Sequence, residues 1–307
     1  MAVDALVVHP AEMNRSTPTL SAIVATYEWP DALNLVLQAL AEQSDSSFEV
    51  IVADDGSGAE TLDVVNVWRK TFGSRLTHVW QTDDGWRKAR ILNVGALAAS
   101  GDYLVFLDGD VIPRRSFVAA VRRAALPGWF LSTKRVYLSE DFSRRVFDQR
   151  FCIWRWSTAR WMVRAPREVT RPGYLVPMRD RRRAWRPDLP DFAPSDNAYG
   201  FFLGVSRADF ERVNGHDIRF IGRDNEDADL AVRLRRIGLR CGWPGPGATM
   251  FHLWHPRVAG PRTNEPLFFE TQASHRVQAV VGLREVADQE SAKRVAASSS
   301  SSEPVNR

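Results

Sequence analysis

The stretch Asp102-Tyr103-Leu104-Val105-Phe106-Leu107-Asp108-Gly109-Asp110 decides the fold. Its run from Tyr103 to Leu107 is continuously apolar rather than alternating, the pattern of a strand in a parallel sheet covered on both faces. Ligands of such sheets bind beyond the carboxyl ends of the strands. Asp108 and Asp110 are therefore delivered to the functional edge, where two hard oxygen donors suit Mg²⁺ or Mn²⁺ shared with a diphosphate. Gly109 between them permits a close approach of backbone to ligand. The plainer alternative is an acidic turn after a buried strand, since Asp-Gly is common turn chemistry.

On the N-terminal side the same signature repeats. Leu20 to Thr26 is a short buried strand, followed by a Pro30-Asp31 helix start and an amphipathic run through Leu33, Val36, Leu37 and Leu40. Phe48 to Asp54 gives a second strand, the turn Asp55-Gly56-Ser57-Gly58 follows, and Thr61 to Lys70 reads as a helix. Leu76 to Gln81 is a third strand and Lys88 to Ala99 a helix. Four strands alternating with helices predict an α/β fold with a mainly parallel central sheet flanked by helices, one domain over 18–285. Further on, Ser116 to Ala125 reads as a helix, Trp129 to Leu138 as one strand and Ala198 to Val205 as another. Asp227 to Ile237 is a helix, Ala248 to Phe251 a short strand ending at His252, and Glu265 to about Gln289 mostly helical. Residues 1–17 read as a flexible tail, and 286–307, with Ser298 to Ser302, as a Ser-rich disordered one.

Composition is ordinary for a globular chain, at 44% hydrophobic and 25% charged residues over 307 positions. Two cysteines, Cys152 and Cys241, exclude a disulfide framework or a Cys-rich zinc site. No apolar run reaches the length of a membrane span, and the first residues lack a signal-peptide pattern, so the expected location is cytoplasmic. The net charge of +4 conceals a local excess. Ser143 to Arg186 holds thirteen arginines against three acidic residues, a balance of +10, which leaves −6 for the rest of the chain. Trp154, Trp156, Trp161 and Trp185 are interleaved with those arginines. Such an Arg/Trp-rich insertion over 144–186 suits peripheral contact with the inner face of the plasma membrane, or an acceptor site; nucleic acid is not an expected partner. The plainer alternative is an insertion whose tryptophans pack on the core and whose arginines are solvated.

Several motifs fall in an order that resembles family 2 glycosyltransferases of the GT-A fold, with a C-terminal half similar to that of galactosyltransferases and chondroitin polymerases. They are Ala25-Thr26-Tyr27, Asp54-Asp55-Gly56-Ser57, the run Asp84-Gly-Trp-Arg-Lys-Ala-Arg-Ile-Leu-Asn93, Asp108-Gly109-Asp110, the cluster Asp224-Asn225-Glu226-Asp227-Ala228-Asp229, and His252-Leu-Trp-His255. The resemblance covers roughly 18–260 and implies a nucleotide-sugar-binding half at 18–125 and an acceptor-binding half at 126–285. It implies transfer of a hexosyl or N-acetylhexosaminyl group, as in polysaccharide biosynthesis, from a nucleotide-sugar, expected to be a UDP-sugar. The acceptor would be a hydroxyl of a glycan, a lipid-linked glycan or a small molecule.

Residue by residue, the resemblance places Asp55, and with it Asp54, on the uracil or ribose, and Thr26 and Tyr27 in the wall of the base pocket. Asn93 belongs to the same donor-side segment. One cation among Arg87, Lys88 and Arg90 would contact the donor, with Arg87 the first choice. Asp110 is the first metal ligand, and Asp108 reaches the ribose or a second coordination position. A histidine at the end of the last strand completes the site for Mn²⁺ or Mg²⁺: His252 first, His255 as the alternative. Glu226 and Asp227 match the family's Glu-Asp pair, with Asp227 as base and Glu226 on the acceptor. Asp229 would serve only the helix dipole. Asp224 and Asn225 replace the usual lead into this motif, which leaves the register of the base open. Gly200 to Gly204 and Trp243 are expected on the acceptor side. The alternatives are a nucleotidyltransferase, which has no need of a late base cluster, and a silent GT-A binding module, which has no reason to keep carboxylates at 108, 110, 226 and 227 together. A dinucleotide oxidoreductase is disfavoured because no Gly-x-Gly-x-x-Gly follows the first strand.

Overall fold

The computed structural model describes residues 19–133, 135–149, 151–170, 200–256 and 263–300. The first hundred positions alternate as expected: β1 (Leu20–Thr26), α1 (Pro30–Ala41), β2 (Phe48–Asp54), α2 (Ala59–Phe72), β3 (Leu76–Trp80), α3 (Lys88–Ala98) and β4 (Tyr103–Asp108). There follow β5 (Val111–Pro113), α4 (Phe117–Ala124), β6 (Trp129–Leu131), β7 (Val136–Tyr137), α5 (Glu140–Gln149) and α6 (Thr158–Glu168). The last part holds β8 (Phe202–Ser206), α7 (Arg207–Arg212), α8 (Glu226–Arg236), β9 (Arg240–Gly242), β10 (Met250–His252), α9 (Glu265–Ala273) and α10 (Leu283–Ser300).

The main sheet runs β3-β2-β1-β4-β8-β6-β9. Strands β3, β2, β1 and β4 are mutually parallel, β8 lies antiparallel to β4, and β6 pairs antiparallel with β8 and parallel with β9. The chain steps outward from β1 to β3 and then returns to the other side of β1, so the topological switch falls between β1 and β4. A crevice opens there at the strand ends. Register brings Thr26 beside Asp54 and Ala25 beside Asp108, aligning three carboxyl ends at one edge. Alternation sends Ala22, Val24, Val50 and Val52 to one apolar layer under α1 and α4, and Ile23, Ile51 and Ala53 to a second under α3 and α8. A small second sheet, β5-β10-β7, stands over the crevice.

Two expectations are corrected, a third is refined, and for the tryptophans of the insertion one of the two alternatives is met. Trp129 to Leu138 is not one strand: polar Ser132, Thr133 and Arg135 break it, and β6 and β7 join different sheets. Glu265 to Gln289 is two helices, because the chain turns after Ser274 and restarts where Glu285 accepts the Gly282 N–H at 2.7 Å. The tail expected from residue 286 is instead helical to Ser300, with Val286 fully buried, because Glu285 and Asn214 tie down its first turn despite the serine content further on. Trp154, Trp156 and Trp161 are core residues, Trp161 stacking on Phe251 of β10 at 4.3 Å. Arg144, Arg145 and Arg155 pair with Glu140, Glu168 and Glu42. In the described part of the insertion these three tryptophans are packing residues, and the arginines form partly exposed ion pairs beside them. Trp185, the arginines from 171 to 186 and the tail expected at 1–17 lie outside the described residues. Among described helices none is long and apolar enough to cross a membrane.

Candidate active site

A cavity of about 1010 Å³ occupies the crevice between β1 and β4 and is roofed by β10 and the start of α8. Thr26, Tyr27, Asp55, Asp108, Gly109, Asp110, Glu226, Asp227, His252 and His255 all line it, from segments up to 229 positions apart.

Asp110 directly precedes β5, and β5 pairs with β10 so that Val111 faces His252. That register sets the His252 Nε2 3.3 Å from Asp110 Oδ2; His255, one turn on, sets its own Nε2 at 3.4 Å from the same oxygen. Both histidines therefore face Asp110, where only one was expected. The His255 Nδ1 donates to the Pro256 carbonyl 2.9 Å away, which turns Nε2 toward the carboxylate. Asp110 Oδ1 is buried with no hydrogen-bond partner. Two imidazole nitrogens converging on one carboxylate, beside its orphaned oxygen, fit a divalent cation, and two imidazoles with one carboxylate suit Mn²⁺. Burial pushes the Asp110 carboxyl up, but His252, Arg135 and His255 outweigh it and hold it below the usual carboxylate range.

Asp108 stands outside that trio. Its Oδ1 takes the Lys88 ammonium at 2.6 Å, and its Oδ2 faces Arg135 at 3.7 Å. Lys88 also reaches Glu226 at 3.4 Å. Burial alone would lower the Lys88 pKa; the two carboxylates reverse that and hold it well above the ordinary lysine value. Of the three cations expected on the donor side, Lys88 rather than Arg87 lines the cavity, which also holds Arg135 and Arg223. The Arg87 side chain pairs with Asp84 outside it, because the residue caps α3 and only its backbone faces inward.

Asp224 and Asn225 both adopt left-handed backbone, a conformation Asn and Asp tolerate better than most residues. Asn264 pins this turn by donating to the Arg223 and Asp224 carbonyls at 3.3 and 2.9 Å. The turn starts α8 at Glu226, so Glu226 and Asp227 enter the cavity in its first turn. Desolvation and the neighbouring Glu226 charge raise the Asp227 pKa to about 7, against the opposing pull of Lys88. Room for its carboxylate comes from Gly200, where a Cβ would lie 2.7 Å from Asp227 Oδ2. Asp229 does more than complement the helix dipole: it forms a fully buried ion pair with Arg233 at 2.6 Å and accepts from the Thr271 hydroxyl at 2.7 Å. Arg233 in turn donates to the Val213 and Gly215 carbonyls, locking α8 onto the preceding loop.

At the other end of the cavity Asp55 is buried, taking the Arg87 N–H at 2.9 Å and the Gln81 amide. Desolvation raises its carboxyl pKa despite those donors. Tyr27 is half exposed and donates its hydroxyl to Asp83 at 3.1 Å. Three expected site residues are placed elsewhere. Asp54 is consumed by His78 at 3.0 Å and the Ser57 N–H at 2.8 Å. Asn93 binds the His216 backbone through both ends of its amide, at 2.8 and 2.9 Å. Trp243 is buried and away from the cavity. Gly109 lines the cavity, but its close approach is to the Ala25 carbonyl, 2.5 Å from any added Cβ. Arg135 was not anticipated. Its guanidinium stacks over Tyr137 and Phe201 at 5.0 and 4.9 Å, a placement made by the β7–β8 neighbourhood that leaves no local sequence signal.

A parallel α/β half delivering an Asp-x-Asp, joined to a mixed half delivering a Glu-Asp pair and histidines, is the architecture of GT-A glycosyltransferases. Residues 1–349 of S. aureus TarS, solved with UDP-GlcNAc, superpose with a TM-score of 0.54 at 15% identity, over 82% of this chain and 64% of that one. The mannosyltransferase PcManGT of Pyrobaculum calidifontis, solved with GDP-Man and Mn²⁺, gives 0.52 at 18% over 92% and 76%. At those identities the likeness carries the fold alone. In sequence, residues 21–190 match the family model of glycosyl transferase family 2, and the chain belongs to that family. A validoxylamine A glucosyltransferase of Streptomyces hygroscopicus subsp. jinggangensis is 30% identical over 236 residues, 72% of this chain and 52% of the relative. The chain thus spans about half the length of that relative. A PGL/p-HBAD biosynthesis glycosyltransferase of Mycobacterium tuberculosis is 35% identical over 95 residues, 31% and 36% of the two chains.

Proposed function

We propose that this chain transfers a hexosyl group from a UDP-sugar to an acceptor hydroxyl, with inversion and with help from a divalent cation. The observation that carries this reading is one cavity holding the Asp110-His252-His255 trio and the Asp227 carboxylate together. A bound cation there, held by Asp110, His252 and His255, would supply charge neutralisation for the departing diphosphate. Thr26, Tyr27 and Asp55 receive the nucleoside, the buried Asp55 carboxylate accepting hydrogen bonds from the base. Lys88, Asp108 and Glu226 form a polar floor that holds sugar hydroxyls in one orientation. Asp227, with its pKa near 7, takes the proton from the acceptor hydroxyl as that oxygen bonds to the anomeric carbon and the bond to the diphosphate oxygen breaks. A single displacement of this kind inverts the anomeric centre. No covalent nucleophile is involved. The relative named for glucosyl transfer supports a hexosyl group.

Calorimetric titration of UDP and GDP with and without Mn²⁺, on the wild type and on Asp110→Asn, tests the reading. Metal-dependent UDP binding that the substitution abolishes is expected. Wild-type protein that binds neither nucleotide under any condition overturns the transferase reading and leaves a silent scaffold.

A further inference from the structure

Helix α10 has no part in the chemistry proposed above, yet it is wired to the base end of the cavity. Glu290 on α10 accepts from the Arg90 guanidinium at 2.5 Å. The other arm of that guanidinium donates to Gln81 Oε1 at 2.7 Å, and the Gln81 Nε2 donates to Asp55 Oδ1. One amide orientation satisfies both Gln81 contacts. With the Arg87 N–H on Oδ2, each Asp55 oxygen has a fixed donor, so the plane of the carboxylate is set. Gln81 and Asp55 are buried, and Arg90 and Glu290 are partly so. An exposed ion pair adds little to stability. This one ends on a cavity-lining carboxylate, where orientation decides what is recognised.

We propose that Glu290, Arg90 and Gln81 are positioning residues through which α10 fixes Asp55 for the donor's base. The inference rests on Asp55 being the base-binding residue. It makes α10 part of the nucleotide site without any contact to nucleotide.

The test uses the full chain with Mn²⁺ and two probes, UDP and inorganic pyrophosphate, the second of which engages the cation without a base. Glu290→Ala and Gln81→Leu are each expected to raise the Kd for UDP about five-fold, the worth of one oriented hydrogen bond, and to leave pyrophosphate unchanged. Combined, they are expected to weaken UDP no more than Gln81→Leu alone, because both cut one chain of contacts. Val286→Ala, which loosens α10 packing without touching the relay, is expected to lower Tm and spare UDP affinity. An unchanged Kd in Glu290→Ala overturns the proposal. So does equal weakening of both probes, or a double variant whose losses add. A wild type that binds pyrophosphate with Mn²⁺ but not UDP overturns the base-pocket reading itself, and the relay falls with it.

Discussion

Adding one methyl group at Gly200 tests where the base sits. An alanine Cβ there would lie 2.7 Å from Asp227 Oδ2, 2.9 Å from its Cγ and 3.1 Å from its Cβ. Ordinary contact begins near 3.4 Å, so the oxygen must retreat by about 0.7 Å. The atom displaced most is the tip of a rotatable side chain, the Asp227 Cβ needs to give only a few tenths of an ångström, and Gly200 has no left-handed backbone angle, so the fold can absorb the change. Proton abstraction cannot. A misplacement approaching 1 Å costs a rate on the order of 10²-fold, so kcat for Gly200→Ala should fall by about 30- to 100-fold. Donor KM should stay within about two-fold of wild type, since Thr26, Tyr27, Asp55 and the metal trio are untouched, and uniform binding is what KM reports here. The assay is release of UDP from a UDP-sugar in the presence of acceptor, with UDP affinity by calorimetry and thermal unfolding as controls. A variant that folds, binds UDP and turns over at the wild-type rate would refute the placement of the base at Asp227.

Four further outcomes follow from the same geometry. Asp227 must be ionised to act, so activity should rise with pH through about 7; Lys88→Met removes the cation that holds that pKa down and should move the rising limb to higher pH, read from a kcat/KM profile. The same carboxyl holds its proton more tightly folded than unfolded: its contribution to stability is full below about pH 4 and is lost as pH rises through about 7, so Asp227→Asn should flatten urea midpoints over that window. Arg233→Met strands Asp229 in the core and should cost about 3–5 kcal/mol by urea unfolding, while the double change with Asp229→Leu should cost less than the single one. Trp161→Ala should also cost about 3–5 kcal/mol, with no loss of binding to anionic vesicles; a membrane anchor would show the reverse pattern.

The parallel half was legible because its information is local. Each strand is a short apolar run, each turn carries Asp or Gly, and right-handed crossover connections then place Thr26, Asp55 and Asp108 at one edge with little freedom left. The second half depends on pairings across long separations. Nothing near Trp129 or Arg135 announces that β6 and β7 part into different sheets, and the position of Arg135 follows from that parting. Asp54 and Asn93 show the limit of motif reading even in the legible half. Both stand inside the right motif, but a strand-end Asp can turn toward His78 as easily as toward a ligand, and a fully buried amide with a complementary backbone beside it turns both its ends away from the cavity.

The histidine pair carries the same lesson in the opposite direction. Local sequence offers His252 and His255 as competitors for one position, because a strand end has one residue facing the sheet edge. The antiparallel register of β10 on β5 removes the competition: it anchors His252 beside Val111, and the Leu253 N–H donates to the Asp110 carbonyl at 3.0 Å, which bends the chain so that His255 returns to the same carboxylate. Asp110 thus holds the turn through its backbone and faces both imidazoles through its side chain. One residue therefore fixes the geometry of its own partners, so Asp110→Asn should remove the charge at this centre while leaving the turn that shapes it.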